Sequence, residues 1–152
     1  MALSGTYTRS LDEKQRVAVP KRLYEDFGDP KPEFLYVAPG TDGSLVIHTE
    51  ESFGHLADRL SQASPTRQDV RTFMRLFYAQ AQRVELDSQG RLRIPPVLAA
   101  WAGLQKDVVL LGVQDHVELW AAERWQAYLH QHQPQYDQIA ERAFDTGSAS
   151  GL

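Results

Sequence analysis

The chain has 152 residues, of which 42 % are apolar and 24 % are charged, and its formal net charge is −4. This length suits one compact domain or two very small ones. No apolar run reaches the roughly 18 residues of a membrane span, and no charged start followed by an apolar core predicts a signal peptide. The absence of cysteine excludes a disulfide framework and thiolate metal sites, and it suits a reducing cytosol.

The charge is unevenly distributed along the chain. Residues 9–22 hold five basic and two acidic side chains, whereas the stretch from residue 107 onward holds seven acidic and two basic ones. Net acidity argues against nucleic-acid binding, because a basic footprint is its usual mark. The uneven distribution nevertheless allows a cationic face on an acidic protein.

The first half of the chain predicts the order strand, tight turn, strand, short helix, strand, turn, strand, helix. Strand-forming residues occupy positions 6–11, and the turn-prone sequence DEKQ separates them from the strand RVAV. Pro20 suits the first position of a helix over 21–27, where no N–H is needed, and Gly28 would end that helix. The strands FLYVA and SLVIH then precede Thr49, whose side chain can cap the next helix.

The middle of the chain predicts a linker helix that begins at Ser64-Pro65. It has an apolar stripe, and three arginines spaced four residues apart on another face indicate a solvated surface or a subunit contact. After His132 the periodic pattern fades, and the final sequence TGSASGL predicts a disordered end. The stripe is Val70, Phe73, Met74 and Phe77, and the arginines are Arg67, Arg71 and Arg75.

The chain contains an internal repeat. The sequence LDEKQRVAVP at 11–20 matches LDSQGRLRIP at 86–95 in Leu, Asp, Arg and Pro, at an offset of 75 residues. Further along, LVIHTEESF lies over VELWAAERW. Two units this small are expected to share one intertwined core. The predicted organisation is repeat 1 at 5–52, linker helices at 53–80, repeat 2 at 81–125, and a helix end with a flexible tail at 126–152.

The doubled Asp-x-x-x-Arg pattern, at 12–16 and 87–91, resembles the MraZ family, because each copy precedes an apolar strand that ends in proline. The segments RLFYAQAQRVELDSQGRLRIPP and GLQKDVVLLGVQDHVELW resemble the family as well, and the resemblance runs from about Gly5 to about Tyr128. It implies an α+β fold. Two AbrB-like swapped-hairpin β-barrel units would form a pseudo-twofold tandem repeat with flanking helices.

The resemblance also implies a function. The chain would be a sequence-specific DNA-binding transcriptional regulator of the division and cell-wall gene cluster, its own operon. Paired loops on a homo-oligomeric ring would bind short guanine-containing direct repeats in double-stranded DNA. We expect a cytoplasmic, nucleoid-associated protein, and we predict no cofactor, no small-molecule ligand and no membrane partner.

Arg16 and Arg91 are the residues expected to read bases. Arginine can grip O6 and N7 of guanine as a fork, and a two-stranded β-ribbon fits the major groove. Both stand just past a turn, where the guanidinium could project from a hairpin tip, and Lys14 adds to the first loop. The predicted DNA-binding set is Arg9, Lys14, Arg16, Lys21, Arg22, Arg91 and Arg93.

The short helices that follow the two loops begin with residues of different charge. Lys21 and Arg22 begin the first short helix and are expected to contact phosphate. The second copy has Pro96 and Val97 at these positions, so the two copies cannot be equivalent in their affinity for DNA.

Asp12 and Asp87 are expected to structure the loops. A turn aspartate can accept backbone N–H groups two residues on and can brace the arginine four residues later. Gly90 occupies the glycine position of the family turn, whereas Gln15 replaces glycine in the first copy. If the turn needs a positive φ, Gln15 is strained there.

Other classes of function have weaker support in the sequence. His130 and His132 point apart on a helix, so no metal site is predicted. No nucleophile elbow, P-loop or dinucleotide-binding turn occurs, and we predict neither catalytic residues nor an enzyme. Two alternatives stay open. One is an AbrB-type antitoxin-like regulator, and the other is an oligomeric scaffold that does not bind DNA, which the net acidity would suit.

Overall fold

The computed structural model describes residues 2–145, which divide into two compact units at Ala122. The C-terminal unit begins at the second residue of α5 (Ala122–His132) and continues through a 3₁₀ turn at Gln133–Gln135 and α6 (Tyr136–Phe144). The first unit contains β1 (Thr6–Ser10), β2 (Arg16–Ala18), α1 (Lys21–Asp26), β3 (Phe34–Pro39), β4 (Leu45–His48), α2 (Glu50–Ser61), α3 (Gln68–Gln80), β5 (Gln82–Glu85), β6 (Arg91–Arg93), α4 (Pro96–Trp101), β7 (Asp107–Val113) and β8 (His116–Ala121).

The strands of the described residues form a six-stranded sheet, in the order β1-β7-β8-β4-β3-β5, and a two-stranded ribbon of β2 and β6. All pairings are antiparallel. β1 from the first half pairs with β7 from the second, and β5 from the second half pairs with β3 from the first. The chain is therefore a mixed α/β protein with an antiparallel sheet, as predicted, and most strand pairs join its two halves.

Residues from both halves fill one hydrophobic cluster. Leu23 of α1 and Leu98 of α4 are fully buried at equivalent positions of the repeat. Val17 of β2 and Leu92 of β6 lie opposite each other across the ribbon and are also fully buried. Burying one such side chain contributes about 1.5–3 kcal/mol. These contacts anchor the ribbon, and since side chains alternate along a strand, its neighbouring residues face outward.

The short helix α1 begins at Lys21 as predicted and ends one residue earlier than predicted, and α4 begins at the equivalent position of the second repeat. Pro20 and Pro95 are the N-cap residues rather than the first helical residues, because their ψ angles of 134° and 139° are extended. In α4 the first helical position is taken by Pro96. Gly28 follows α1 with a φ of 114°, which confirms the predicted glycine end, and its repeat equivalent Gly103 follows α4 with a φ of 60°.

The two longer helices of the first unit differ in how well the sequence locates them. Thr49 caps α2 by accepting the backbone N–H three residues later, as predicted. The prediction that Ser64-Pro65 starts the linker helix is wrong, since α3 begins at Gln68. The Ser64 hydroxyl lies 2.8 Å from that of Thr66, and the backbone between them forms a turn instead.

The C-terminal unit contains a helix that the sequence pattern did not predict. α6 forms over Tyr136–Phe144, where we expected a flexible tail. Tyr136, Ile139 and Ala143 recur at helical spacing, and Asp137 and Arg142 suit the two ends of a helix dipole. The TGSASGL end lies outside the described residues. No helix of residues 2–145 is long and apolar enough to cross a membrane.

Candidate nucleic-acid interface

The first candidate loop joins β1 to β2 and is organised by one carboxylate. Asp12 Oδ1 accepts the backbone N–H groups of Lys14 and Arg16, both at 2.9 Å. Asp12 Oδ2 accepts Nε–H of Arg16 at 2.7 Å. These donors, the backbone N–H of Arg16 first among them, hold the pKa of Asp12 below its usual value. The carboxylate is therefore ionised near neutral pH and closes the loop.

The second candidate loop, between β5 and β6, repeats this geometry. Asp87 Oδ1 accepts the backbone N–H groups of Gln89 and Arg91 at 2.9 Å, and its Oδ2 accepts Nε–H of Arg91 at 2.8 Å. The backbone N–H of Arg91 is the largest cause that lowers the pKa of Asp87. Equal sequence spacing has thus produced equal hydrogen bonds.

The two loops meet through their charged side chains. Nη1 of Arg16 lies 3.8 Å from Oδ2 of Asp87, and Nη1 of Arg91 lies 3.9 Å from Oδ2 of Asp12. We call these four residues the crossed Asp–Arg cluster. The side chains of the two arginines are only 26 % and 30 % exposed. Each guanidinium lies between the loops instead of projecting freely from a tip. Its Nε is occupied by the aspartate of its own loop, and its Nη1 faces the aspartate of the other loop, so an external acceptor would share Nη1 with that carboxylate.

The backbone turns of the two loops also match. Gln15 has a φ of 62° and Gly90 a φ of 73°, so both positions adopt the left-handed conformation. A Cβ added at Gly90 would meet nothing within 4 Å. Gln15 therefore occupies its position without a clash, and its cost is conformational, because left-handed backbone is unfavourable for residues other than glycine.

The ribbon fixes the loops relative to each other. Arg16 pairs with Arg93 in the β2–β6 register, and Val19 N–H donates to the carbonyl of Gly90 at 3.1 Å. The equivalent bond, from Ile94 N–H to the carbonyl of Gln15, measures 2.9 Å. Because each strand bonds to the opposite loop, the loops form one continuous surface.

The remaining predicted residues lie at different distances from this surface. Lys21 lines a groove together with residues 88–90 of the second loop, and Arg22 follows it on the exposed side of α1. Arg93 is exposed on the ribbon. Arg9 is exposed on β1, donates to the carbonyl of Thr8 at 2.7 Å, and borders a separate depression that includes neither loop.

Sequence reasoning missed Lys31, which lines the same groove as Lys21. Its Nζ lies 5.7 Å from the ring centre of Tyr24, within range of a cation–π contact. The repeat offset could have identified it, because Lys31 and Lys106 are 75 residues apart, as are Arg16 and Arg91.

A second polar cluster lies on β4, β8 and α2. Nδ1 of the buried His48 lies 2.9 Å from Ser52 Oγ, and its ring centre lies 5.2 Å from that of His116. Burial, and then the charge of His116, lowers the pKa of His48 to about 4. The nitrogens of His116 contact Asp115 Oδ1 at 2.8 Å and Glu118 Oε2 at 3.3 Å, and the bond to Glu118 is the largest cause that raises the pKa of His116. Within residues 2–145, no group of three or more potential protein ligands could hold a metal ion.

Comparison with known proteins places this arrangement in a family. Residues 77–147 match the family model described as "MraZ protein, putative antitoxin-like". A protein named transcriptional regulator MraZ from Clostridium botulinum is 41 % identical over 143 residues, which cover 94 % of this chain and 97 % of the relative. Proteins of that name from Heliobacterium modesticaldum and Ligilactobacillus salivarius are each 37 % identical over 141 residues, which cover 93 % of this chain and 96 % of each relative. With two Asp-x-x-x-Arg loops on one ribbon and relatives matched over nearly its full length, the chain belongs to the MraZ family.

Proposed function

We propose that this protein is a sequence-specific DNA-binding transcriptional regulator that binds duplex DNA through its paired Asp-x-x-x-Arg loops. The observation that carries the proposal is the crossed Asp–Arg cluster, which holds two loops of like sequence on one two-stranded ribbon. A ribbon of this kind has the width of a major-groove element. The names of the relatives, transcriptional regulators, agree with this function.

The proposed architecture is that of two AbrB-like swapped-hairpin units. Its support is the strand pairing, in which β1 and β5, the equivalent first strands of the two repeats, each pair with a strand of the other repeat. The exchange makes the two loops mutually dependent, because neither half completes its sheet alone.

The proposed operator is a set of short guanine-containing direct repeats upstream of the division and cell-wall gene cluster, the protein's own operon. Arg16 and Arg91 would present their Nη groups to guanine, and Lys14 and Arg93 would flank them. The proposed setting is the cytoplasm, in association with the nucleoid. Arg9, Lys21 and Arg22 would contact phosphates on either side.

We further propose that copies of the chain assemble into a homo-oligomeric ring. Phe73 and Leu76 of α3 support this, because they are 45 % and 59 % exposed on a helix whose neighbour Phe77 is buried. A ring multiplies weak contacts through effective concentration, so that each loop pair can bind poorly while the array binds well.

An antitoxin-like role is the second candidate. It is favoured by the description of the matching family model and by the C-terminal unit, where Tyr136 and Phe144 of α6 are 72 % and 87 % exposed. An antitoxin of this type would use such a helix to bind its toxin while the loops bind DNA.

A gel-shift titration tests the main proposal. The purified protein is titrated against a duplex with guanine repeats and against a scrambled duplex, each at several salt concentrations. We expect tighter binding to the repeats and a negative slope of log K against log salt. The double variant Arg16→Ala, Arg91→Ala should lose the preference for the repeats. Equal affinity of the wild type for both duplexes would contradict sequence-specific recognition.

A further inference from the structure

The backbone frame of the proposed DNA-binding surface is symmetric. The reciprocal bonds between strand and opposite loop measure 3.1 Å and 2.9 Å, and the reciprocal crossed ion pairs measure 3.8 Å and 3.9 Å. A surface with equally symmetric side chains would bind a duplex in two orientations of equal energy. Any preference for one orientation of the duplex must therefore come from side chains that differ between the two copies of the repeat.

The tips of the two loops differ in charge. Lys14 is exposed on the first loop, and its equivalent at the offset of 75 residues is Gln89, exposed on the second loop. Lysine binds O6 and N7 of guanine or a phosphate, whereas glutamine pairs bidentately with N6 and N7 of adenine. The second tip thus lacks its own cation and is suited to a different base.

Two lysines of the first repeat supply the missing positive charge to the second loop. Lys21 and Lys31 line the groove next to residues 88–90, and the ring of Tyr24 lies beside Lys31. Tyr24 is itself held by a hydrogen bond from its hydroxyl to the carbonyl of Pro32 at 3.2 Å. The acidic residues of this groove are Glu25 of α1 and Asp87 of the second loop.

The groove next to the first loop has a different composition. Lys106, the equivalent of Lys31, shares it with Asp12 and Glu13. The helix on that side starts with Pro96 and Val97 in place of Lys21 and Arg22, and the apolar Val97 side chain, 64 % exposed, cannot bind phosphate. The first loop therefore has a lysine at its tip and one lysine, Lys106, in the groove beside it. The second loop has a neutral tip and two lysines in the groove beside it.

We propose that the two halves of this surface have different tasks, an inference that rests on the proposed function. Lys14 recognises guanine from the first loop. Gln89 recognises adenine from the second loop, where Lys21 and Lys31 hold the DNA backbone. Each chain therefore binds its site in one orientation, and the site has unlike halves. Phosphate contacts alone could not set that orientation, because both strands of the duplex present the same backbone.

Site-directed cleavage tests the orientation directly. The chain has no cysteine, so Glu25→Cys and Ala100→Cys each create a single attachment point for an iron chelate. These positions are equivalent in the repeat, exposed, and lie on α1 and α4. On a bound duplex, we expect the two variants to cut opposite ends of the site, and inverting the site should exchange the two patterns. Equal cutting of both ends by each variant would overturn the inference while leaving DNA binding intact. If the wild type binds no duplex specifically, the proposed function fails and the inference fails with it.

Two sets of substitutions separate base recognition from backbone contact. Gln89→Ala should reduce discrimination at the adenine of the second half-site by roughly 5- to 150-fold and leave discrimination at the guanine unchanged. The double variant Lys21→Ala, Lys31→Ala should weaken binding to all sequences alike and reduce the salt slope by about 0.9 for each lost phosphate contact. Lys106→Ala is the matched control, with a smaller change in slope, since it removes one lysine from a groove that has no second lysine. A Gln89→Ala protein with unaltered base preference, or a lysine double variant with an unaltered slope, would contradict the assignment.

Discussion

Gln15 and Gly90 provide a matched test of the loop geometry, because they hold the same left-handed conformation in equivalent turns. A non-glycine residue in this conformation costs about 1–2 kcal/mol. Replacing Gln15 by glycine removes that cost but adds about 0.4–1 kcal/mol of entropy to the unfolded chain. We therefore expect Gln15→Gly to stabilise the fold by about 0.5–1 kcal/mol, which is a rise in Tm of roughly 1–4 °C for a chain of this size.

Gly90→Ala is the reverse experiment. A Cβ at this position meets nothing within 4 Å, so no clash adds to the conformational cost, and we expect a loss of about 0.5–1 kcal/mol. Urea unfolding at fixed protein concentration, followed by circular dichroism, measures both variants against the wild type. A Gln15→Gly protein that is less stable than the wild type, or a Gly90→Ala protein that is more stable, would refute the assigned turn geometry.

Three further predictions concern the crossed cluster, the histidine pair and α3. Asp12→Ala removes a negative charge from a surface proposed to bind DNA, yet it should lower operator affinity in a gel-shift titration, because Arg16 loses the carboxylate that positions its guanidinium. Higher operator affinity would contradict this role of Asp12. The free energy of unfolding should fall as the pH drops from about 6.5 to about 4, and His48 alone should account for roughly 3 kcal/mol of that fall. The reason is that the pKa of His48 is about 4 in the folded protein, so unfolding lets its ring bind a proton. In urea titrations, His48→Gln should flatten that slope. Phe77→Ala should cost about 3–5 kcal/mol, since the ring is 5 % exposed, whereas Thr72→Ala, at an exposed site of the same helix, should stay within about 0.5 kcal/mol in the same unfolding assay.

The histidine prediction involves an opposing contribution from His116. Its pKa is raised by Glu118 and Asp115, so the folded protein binds that proton more tightly than the unfolded chain does. The stabilisation from His116 is fully present below the pKa that His116 has in the unfolded chain. It is lost as the pH rises through the higher pKa that His116 has in the folded protein. Arg59 lies 3.7 Å from Asp115 and keeps that carboxylate partly neutralised at all these pH values. A double-mutant cycle with His48→Gln and His116→Gln separates the two contributions, because the rings lie 5.2 Å apart and the charge of His116 acts on His48.

Local structure could be predicted from the sequence because its causes lie within a few residues. Thr49 caps a helix with the N–H three residues later, and Gly28 ends one through its own positive φ. The start of α3 was misplaced because Ser64 makes a turn bond to Thr66, a competition that a cap pattern alone does not reveal. α6 was missed because no side chain caps its start at Gln135 and its apolar pattern, Tyr136, Ile139 and Ala143, spans only two turns.

The candidate site was predictable in composition and less so in geometry. The spacing of Asp12 and Arg16 indicated that the carboxylate could brace the arginine, and the structure has this contact at 2.7 Å. The pairing of Arg16 with Asp87 joins residues from different repeats, and no local pattern specifies such a contact. It depends on the β2–β6 register, which in turn depends on burial of Val17 opposite Leu92. The partly buried position of the guanidinium follows from the same tertiary packing.

The crossed cluster also bears on how an acidic chain could bind DNA. Asp12 and Asp87 would repel phosphates if they were free, but each carboxylate accepts two backbone N–H groups and one guanidinium at 2.7–2.9 Å. Their charge is thus compensated within the cluster, and with a Debye length of about 8 Å at physiological ionic strength, little of it extends to a phosphate outside. Attraction at longer range then depends on cations next to the loops, such as Lys14, Lys21 and Lys31. Because most of the acidic residues that set the net charge of −4 occur elsewhere in the sequence, local charge at the loops predicts the partner better than the isoelectric point of the chain does.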